Sequence, residues 1–131
     1  MTRYLVGVDT EATAERLVEY LEGKLEDGDE VFAVNSLPGG ESTSDDDVVS
    51  GREATEYVEE HLKNVETHQL VRGNSPQEDL LEFADDHDVD ELVIGIRKRS
   101  PTGKLVFGST AQDLLLETEL PTVVVPLTKP A

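Results

Sequence analysis

The sequence predicts a single α/β domain: a five-stranded parallel sheet with helices packed on both faces. Three observations point there. Short apolar runs alternate with amphipathic stretches of helical spacing along the whole chain, giving the order βαβαβαβαβ. The 131 residues make one ordinary domain with no internal repeat. Val, Leu, Ile and Phe form about 28% of the chain, well above the ~20% below which a charged chain stays disordered. Strand–helix–strand crossovers in such a sheet are right-handed in ~98% of cases.

Residues 4–8 are a buried strand ending at Asp9. Ala14, Leu17, Val18, Leu21 and Leu25 then mark one helical face, opened by Thr10 as N-cap and closing near Gly28. Residues 31–34 form the second strand. Residues 37–50 read as a loop of turn formers and acids, in which Asp45, Asp46 and Asp47 solvate the loop, charge a helix start or close over a site as a lid. Ala54, Tyr57, Val58, His61, Leu62 and Val65 give a second helical stripe, with Tyr57 and His61 as core or boundary packing. Residues 67–71 are the third strand, and Gly73-Asn74 turns the chain. Ser75, Pro76 and Glu78 then start a helix with a capping box, which carries Leu80, Leu81 and Ala84. Residues 92–96 are the fourth strand. A second capping box, Ser109 to Gln112, opens a helix with Ala111, Leu114 and Leu115. Pro121 ends it, and residues 122–125 are the fifth strand.

Composition excludes several classes. There is no Cys, hence no disulfide scaffold, thiolate zinc site or cysteine nucleophile. No apolar run approaches the ~20 residues of a membrane helix, and the N-terminal residues lack a signal-peptide layout; a soluble, cytoplasmic protein is expected. A net charge of −18 opposes binding to nucleic acid or anionic membranes. With a core of this size, such acidity fits adaptation to molar salt, where the Debye length falls to about 3 Å and self-repulsion is screened. His61, His68 and His87 have no metal-ligand spacing, and residues 85–88 read as a solvated helix end.

In parallel sheets, ligands bind beyond the carboxyl ends of the strands, where strand order switches. The positions to inspect are Asp9, Val34-Asn35-Ser36, Gly73-Asn74 and the residues after Ile94. Residues 95–110 stand out. Arg97, Lys98, Arg99 and Lys104, four of eleven Lys and Arg, fall within eight positions of a chain holding 29 acids. Gly95, Gly103 and Gly108 let backbone approach a ligand closely. The segment runs into Ser109-Thr110 at a helix start, whose free N–H groups favour an anion. Together these describe a phosphate cradle; the same composition also fits a surface loop whose cations pair with neighbouring carboxylates. The spacing matches neither a Walker A loop nor a dinucleotide fingerprint. A receiver domain, suggested by Lys129-Pro130, lacks the paired acids after strand one and the acceptor Asp after strand three.

The segment resembles the nucleotide-binding motif of the universal stress protein family: Gly, two residues, Gly, nine residues, Gly, then Ser or Thr. Here Gly95, Lys98 and Gly108-Ser109 stand at those positions. All five strand ends resemble the family as well, so the likeness covers the whole chain. It implies strand order 3-2-1-4-5 and, in one subclass, bound ATP or AMP. By that resemblance Asp9 meets the ribose or a nucleotide-bound Mg2+, and the backbone of Val34 reads the adenine edge. Gly95 passes beneath the ribose, and Gly108, Ser109 and Thr110 hold phosphates. Val8, Thr10 and Ile94 flank these positions among the nucleotide-binding residues. Lys98 stands where the family has its second Gly. A non-Gly residue there costs about 1–2 kcal/mol if the backbone is left-handed; if it is ordinary, Lys98 and Arg97 add direct contacts to phosphate. The family also implies a homodimer through the edge strand, residues 121–127, with Pro126 removing one donor. No nucleophile–base pair is visible, so a sensor or interaction module is expected. The alternatives are a slow Mg-dependent ATPase or a structural dimer without nucleotide.

The charge makes a prediction of its own. Thermal stability should rise steadily as salt is raised from low to molar concentration; a melting temperature indifferent to salt would contradict the halophilic reading.

Overall fold

The computed structural model describes the chain except Arg72, Asn74, Arg97, residues 100–104, Phe107, Gly108 and residues 128–131. The elements run β1 (Arg3–Gly7), α1 (Glu11–Glu22), β2 (Glu30–Leu37), a 3-10 turn (Gly40–Ser42), α2 (Asp45–His61), β3 (Val65–Val71) and α3 (Pro76–Asp86). They continue with β4 (Glu91–Ile96), β5 (Lys98–Arg99), β6 (Leu105–Val106), α4 (Ser109–Glu117) and β7 (Thr122–Pro126). The main sheet has the order β3-β2-β1-β4-β7 with every pair parallel. Numbered along that sheet alone, this is the expected 3-2-1-4-5. Among the described residues, no helix is long and apolar enough to cross a membrane.

The period-2 alternation of the strands divides the core in two. Tyr4, Val6, Val31, Ala33 and Val93 face α1 and α2, meeting Ala14, Leu17, Val18, Leu21, Ala54 and Val58. Leu5, Phe32, Val34, Leu92 and Ile94 face the other way, meeting Leu80, Phe83, Ala84 and Leu114 of α3 and α4. Phe32 and Phe83 pack edge to face, with centroids 5.5 Å apart.

Several boundaries differ from the sequence reading. Thr10 caps α1, its Oγ1 accepting from the Thr13 N–H, but the helix ends at Glu22 with Gly23 as cap, before Gly28. Residues 37–50 are not one loop. Leu37 still belongs to β2, and α2 begins at Asp45 behind a Ser44–Asp47 capping box. The three aspartates therefore form its first turn, where the helix dipole favours negative charge, and not a lid. Val65 starts β3 and is not part of the helical stripe. His61 is exposed and stacks on Tyr57 at 3.9 Å. At α3, Ser75 Oγ donates to Glu78 Oε1 (2.7 Å), so the expected reciprocal box with backbone does not form. Ser109 lies inside α4, not ahead of it. Within the basic segment β5 and β6 form an antiparallel pair, with Lys98 opposite Val106 and Arg99 opposite Leu105.

One polar network fixes the carboxyl end of β2. Asn35 is 1% exposed; its Nδ2 donates to the Val8 carbonyl (2.9 Å) and its Oδ1 accepts from Gln69 Nε2 (3.1 Å). Gln69 also donates to the Val48 carbonyl (2.8 Å), tying α2 to β3. Gly51 of α2 rests on this carboxamide, and a Cβ there would overlap it. Near the amino ends of the strands, Asp29 does similar work. It accepts from the Thr2 and Glu26 N–H groups at 2.8 and 2.9 Å. These backbone bonds, from Glu26 and then Thr2, hold its carboxyl below the ordinary 3.8.

Two predictions follow from these bonds. Gly51→Ala gains ~1 kcal/mol of helix propensity but overpacks a pinned carboxamide, for which ~1–3 kcal/mol is usual. We expect a lower melting temperature, and a variant as stable as the parent would contradict the packing. Because its folded pKa is depressed, Asp29 contributes stability that is fully present above its unfolded value and is lost as pH falls through the folded one. Asp29→Asn should therefore destabilise at neutral pH, with the gap from the parent closing as pH drops below 3.8 in acid titrations.

Candidate functional site

The reversal of strand order places β2 and β4 on opposite sides of β1, and the connections leave their carboxyl ends for different faces. A cavity of about 340 Å3 opens there. Gly7, Val8 and Asp9 come from the end of β1, Val34, Ser36, Leu37 and Pro38 from β2, and Ile94 and Gly95 from β4. Pro76 and Leu80 of α3 form one wall. Thr110, Ala111 and Leu114 of α4 form another, and Leu127 closes the side beyond β7. The volume is within the ~300–1,000 Å3 of ordinary ligand pockets, and the lining is mostly apolar with a few polar groups, as such pockets are.

The lining carries little negative charge for so acidic a chain. Asp9 is the single carboxylate among the described lining residues. Its Oδ1 accepts from Thr13 Oγ1 at 2.7 Å, which fixes the carboxylate at the mouth of α1. Opposite it, α4 presents its first turn to the cavity through Thr110 and Ala111. The first N–H groups of a helix have no intrahelical partner and carry partial positive charge. One side of the cavity thus offers apolar surface to a flat ring, and its rim offers donors to an anion.

Of the residues singled out in the sequence, Val8, Asp9, Val34, Ile94, Gly95 and Thr110 line this cavity together. The Val34 carbonyl already accepts from the Val8 N–H at 3.0 Å, leaving one lone pair. Gly95 lies directly against Leu127: a Cβ would stand 2.6 Å from Leu127 Cδ2, so the glycine admits that wall. Thr10 is not part of the lining; its hydroxyl caps α1 and meets Thr13 Oγ1 at 3.1 Å. Arg97 and Gly108, and the side chains of Lys98 and Ser109, lie outside the described residues.

Sequence reasoning missed most of the walls. Thr13, Leu37, Pro38, Pro76, Leu80, Ala111, Leu114 and Leu127 had no signal beyond apolar periodicity or turn propensity. The histidines read as scattered are partly gathered. His68 and His87 lie 5.8 Å apart around Phe83, His87 stacked on that ring at 3.8 Å and His68 meeting it edge-on at 4.7 Å. No group of metal-ligating side chains occurs among the described residues.

Comparison with known proteins fits this geometry. The model of the universal stress protein family matches residues 1–126. A curated relative, a universal stress protein of Mycolicibacterium smegmatis, is 47% identical over 72 residues, which is 52% of this chain and 55% of the relative. The chain thus spans about half the length of that relative. Among solved structures, a universal stress protein from Archaeoglobus fulgidus is 40% identical with a TM-score of 0.79, covering 95% of this chain and 98% of that one. A universal stress protein from the same organism in complex with dAMP is 33% identical with a TM-score of 0.73, at the same coverage. The chain belongs to the universal stress protein family.

Proposed function

We propose that this protein binds an adenine nucleotide, ATP or AMP, in the cavity at the carboxyl ends of β1, β2 and β4, and acts as a sensor or interaction module. The observation that carries this reading is the pairing of an apolar crevice with the first turn of α4 at its rim. In this reading the purine takes the apolar part of the cavity, whose lining includes Val8, Val34, Ile94, Leu80 and Leu114. Phosphates fit at Thr110 and the amide groups of the helix start, with the basic segment from Arg97 to Lys104 nearby in sequence. The dAMP complex of the 33% identical relative supports the ligand class.

At molar salt, long-range attraction is nearly screened out, so affinity rests on short contacts made by hydrogen bonds. Where Mg2+ accompanies a triphosphate, Asp9 is the carboxylate that would meet it. Among the described lining residues Asp9 is the one carboxylate, and it is already engaged by the Thr13 hydroxyl; this favours binding over turnover. We further propose that β7, an edge strand with Val123 and Val124 half-buried, pairs with a second copy.

Calorimetric titration at high salt with ATP, ADP and AMP tests the reading. We expect saturable heat from at least one of them; no heat from any would overturn it. Thr110→Glu sharpens the test. A carboxylate at a helix start stabilises the helix but repels phosphate, so affinity should fall about tenfold or more while the melting temperature holds. Light scattering at high salt should give the mass of a dimer; a monomer would contradict pairing through residues 121–127.

A further inference from the structure

Asp79 is a carboxylate with no exposure to solvent, in the first turn of α3. Burying such a group is costly unless it is bonded. One of its partners is Ser36, whose Oγ donates to Asp79 Oδ2 at 2.6 Å. Ser36 follows Phe32 and Val34 on the same face of β2, the face on which the cavity opens, and it borders that cavity. In this bond the carboxylate oxygen is the acceptor. The hydroxyl proton is therefore turned toward Asp79, and what Ser36 keeps for the cavity is acceptor capacity.

Resting on the nucleotide reading above, we propose that the Asp79–Ser36 pair selects the base: Asp79 positions Ser36 as an acceptor, which favours a purine bearing an amino group at its 6-position over one bearing an oxo group. The 6-amino group of adenine donates to such an oxygen. The 6-oxo group of hypoxanthine sets two acceptors against each other, and a buried pair of that kind goes unbonded. The pair acts through polarity alone, with no covalent step. Asp79 is a positioning residue and Ser36 the group that meets the ligand.

The test compares AMP with IMP, which differ at that edge of the base, by calorimetry on the intact protein. The parent should bind AMP about tenfold tighter than IMP. Ser36→Ala should bring the ratio close to one, chiefly by weakening AMP. Asp79→Asn should move it further toward IMP, because a carboxamide can donate to Ser36 and release the hydroxyl proton toward the cavity. A tie that merely joined α3 to β2 would change melting temperature and leave the ratio alone. If Asp79→Asn fails to fold, Ser36→Ala, which removes a single oxygen, decides the matter. A Ser36→Ala ratio within about twofold of the parent overturns the proposal. Equal binding of AMP and IMP by the parent overturns it too, with the nucleotide reading intact. Binding of neither overturns both.

Discussion

The whole structure depends on one topological constraint. After β1 the chain builds outward to β2 and β3, then returns to lay β4 and β7 on the other side of β1. The helices that follow β1 and β4 pack on opposite faces of the sheet. Backbone cannot fill the gap between them. The crevice is therefore a consequence of strand order, and side chains decide what it can hold.

Those side chains divide by distance from the sheet centre. In the middle, alternation puts a fully apolar layer on each face, and nothing polar is needed. At the carboxyl ends the same alternation delivers Asn35 to one face and Ser36 to the other. Asn35 is consumed internally, locking Val8 and Gln69. Ser36 is held by Asp79 and borders the cavity. Of two adjacent residues of one strand, one is thus spent on internal bonds and the other borders the cavity, and Gly51 shows how closely the first is packed.

Much of this was readable beforehand. Strand cores are the plainest signal in a parallel sheet, because residues such as Val6, Ala33 and Val93 are apolar whichever face they meet. The strand-end rule led directly to Asp9, Val34 and Gly95. The start of α2 was hidden because its capping box uses Asp47 where Glu or Gln is the usual sign, and because Gly51 breaks the helical pattern for the sake of Asn35. The β5–β6 pair is too short to carry a period. Asp79 was invisible for a different reason: a carboxylate between Glu78 and Leu80 reads as solvent-facing, and its burial depends on where β2 places Ser36. Leu127 as a cavity wall likewise depends on its approach to Gly95.

Amide chemical shifts of isotope-labelled protein during titration with AMP at high salt examine the crevice most directly. Binding as described perturbs Gly7, Val8, Ser36, Gly95, Thr110 and Ala111 together, from three strand ends and one helix start, and leaves the Tyr57–His61 face unmoved. Saturable shifts confined to other surfaces, or a spectrum that AMP leaves unchanged, would contradict it.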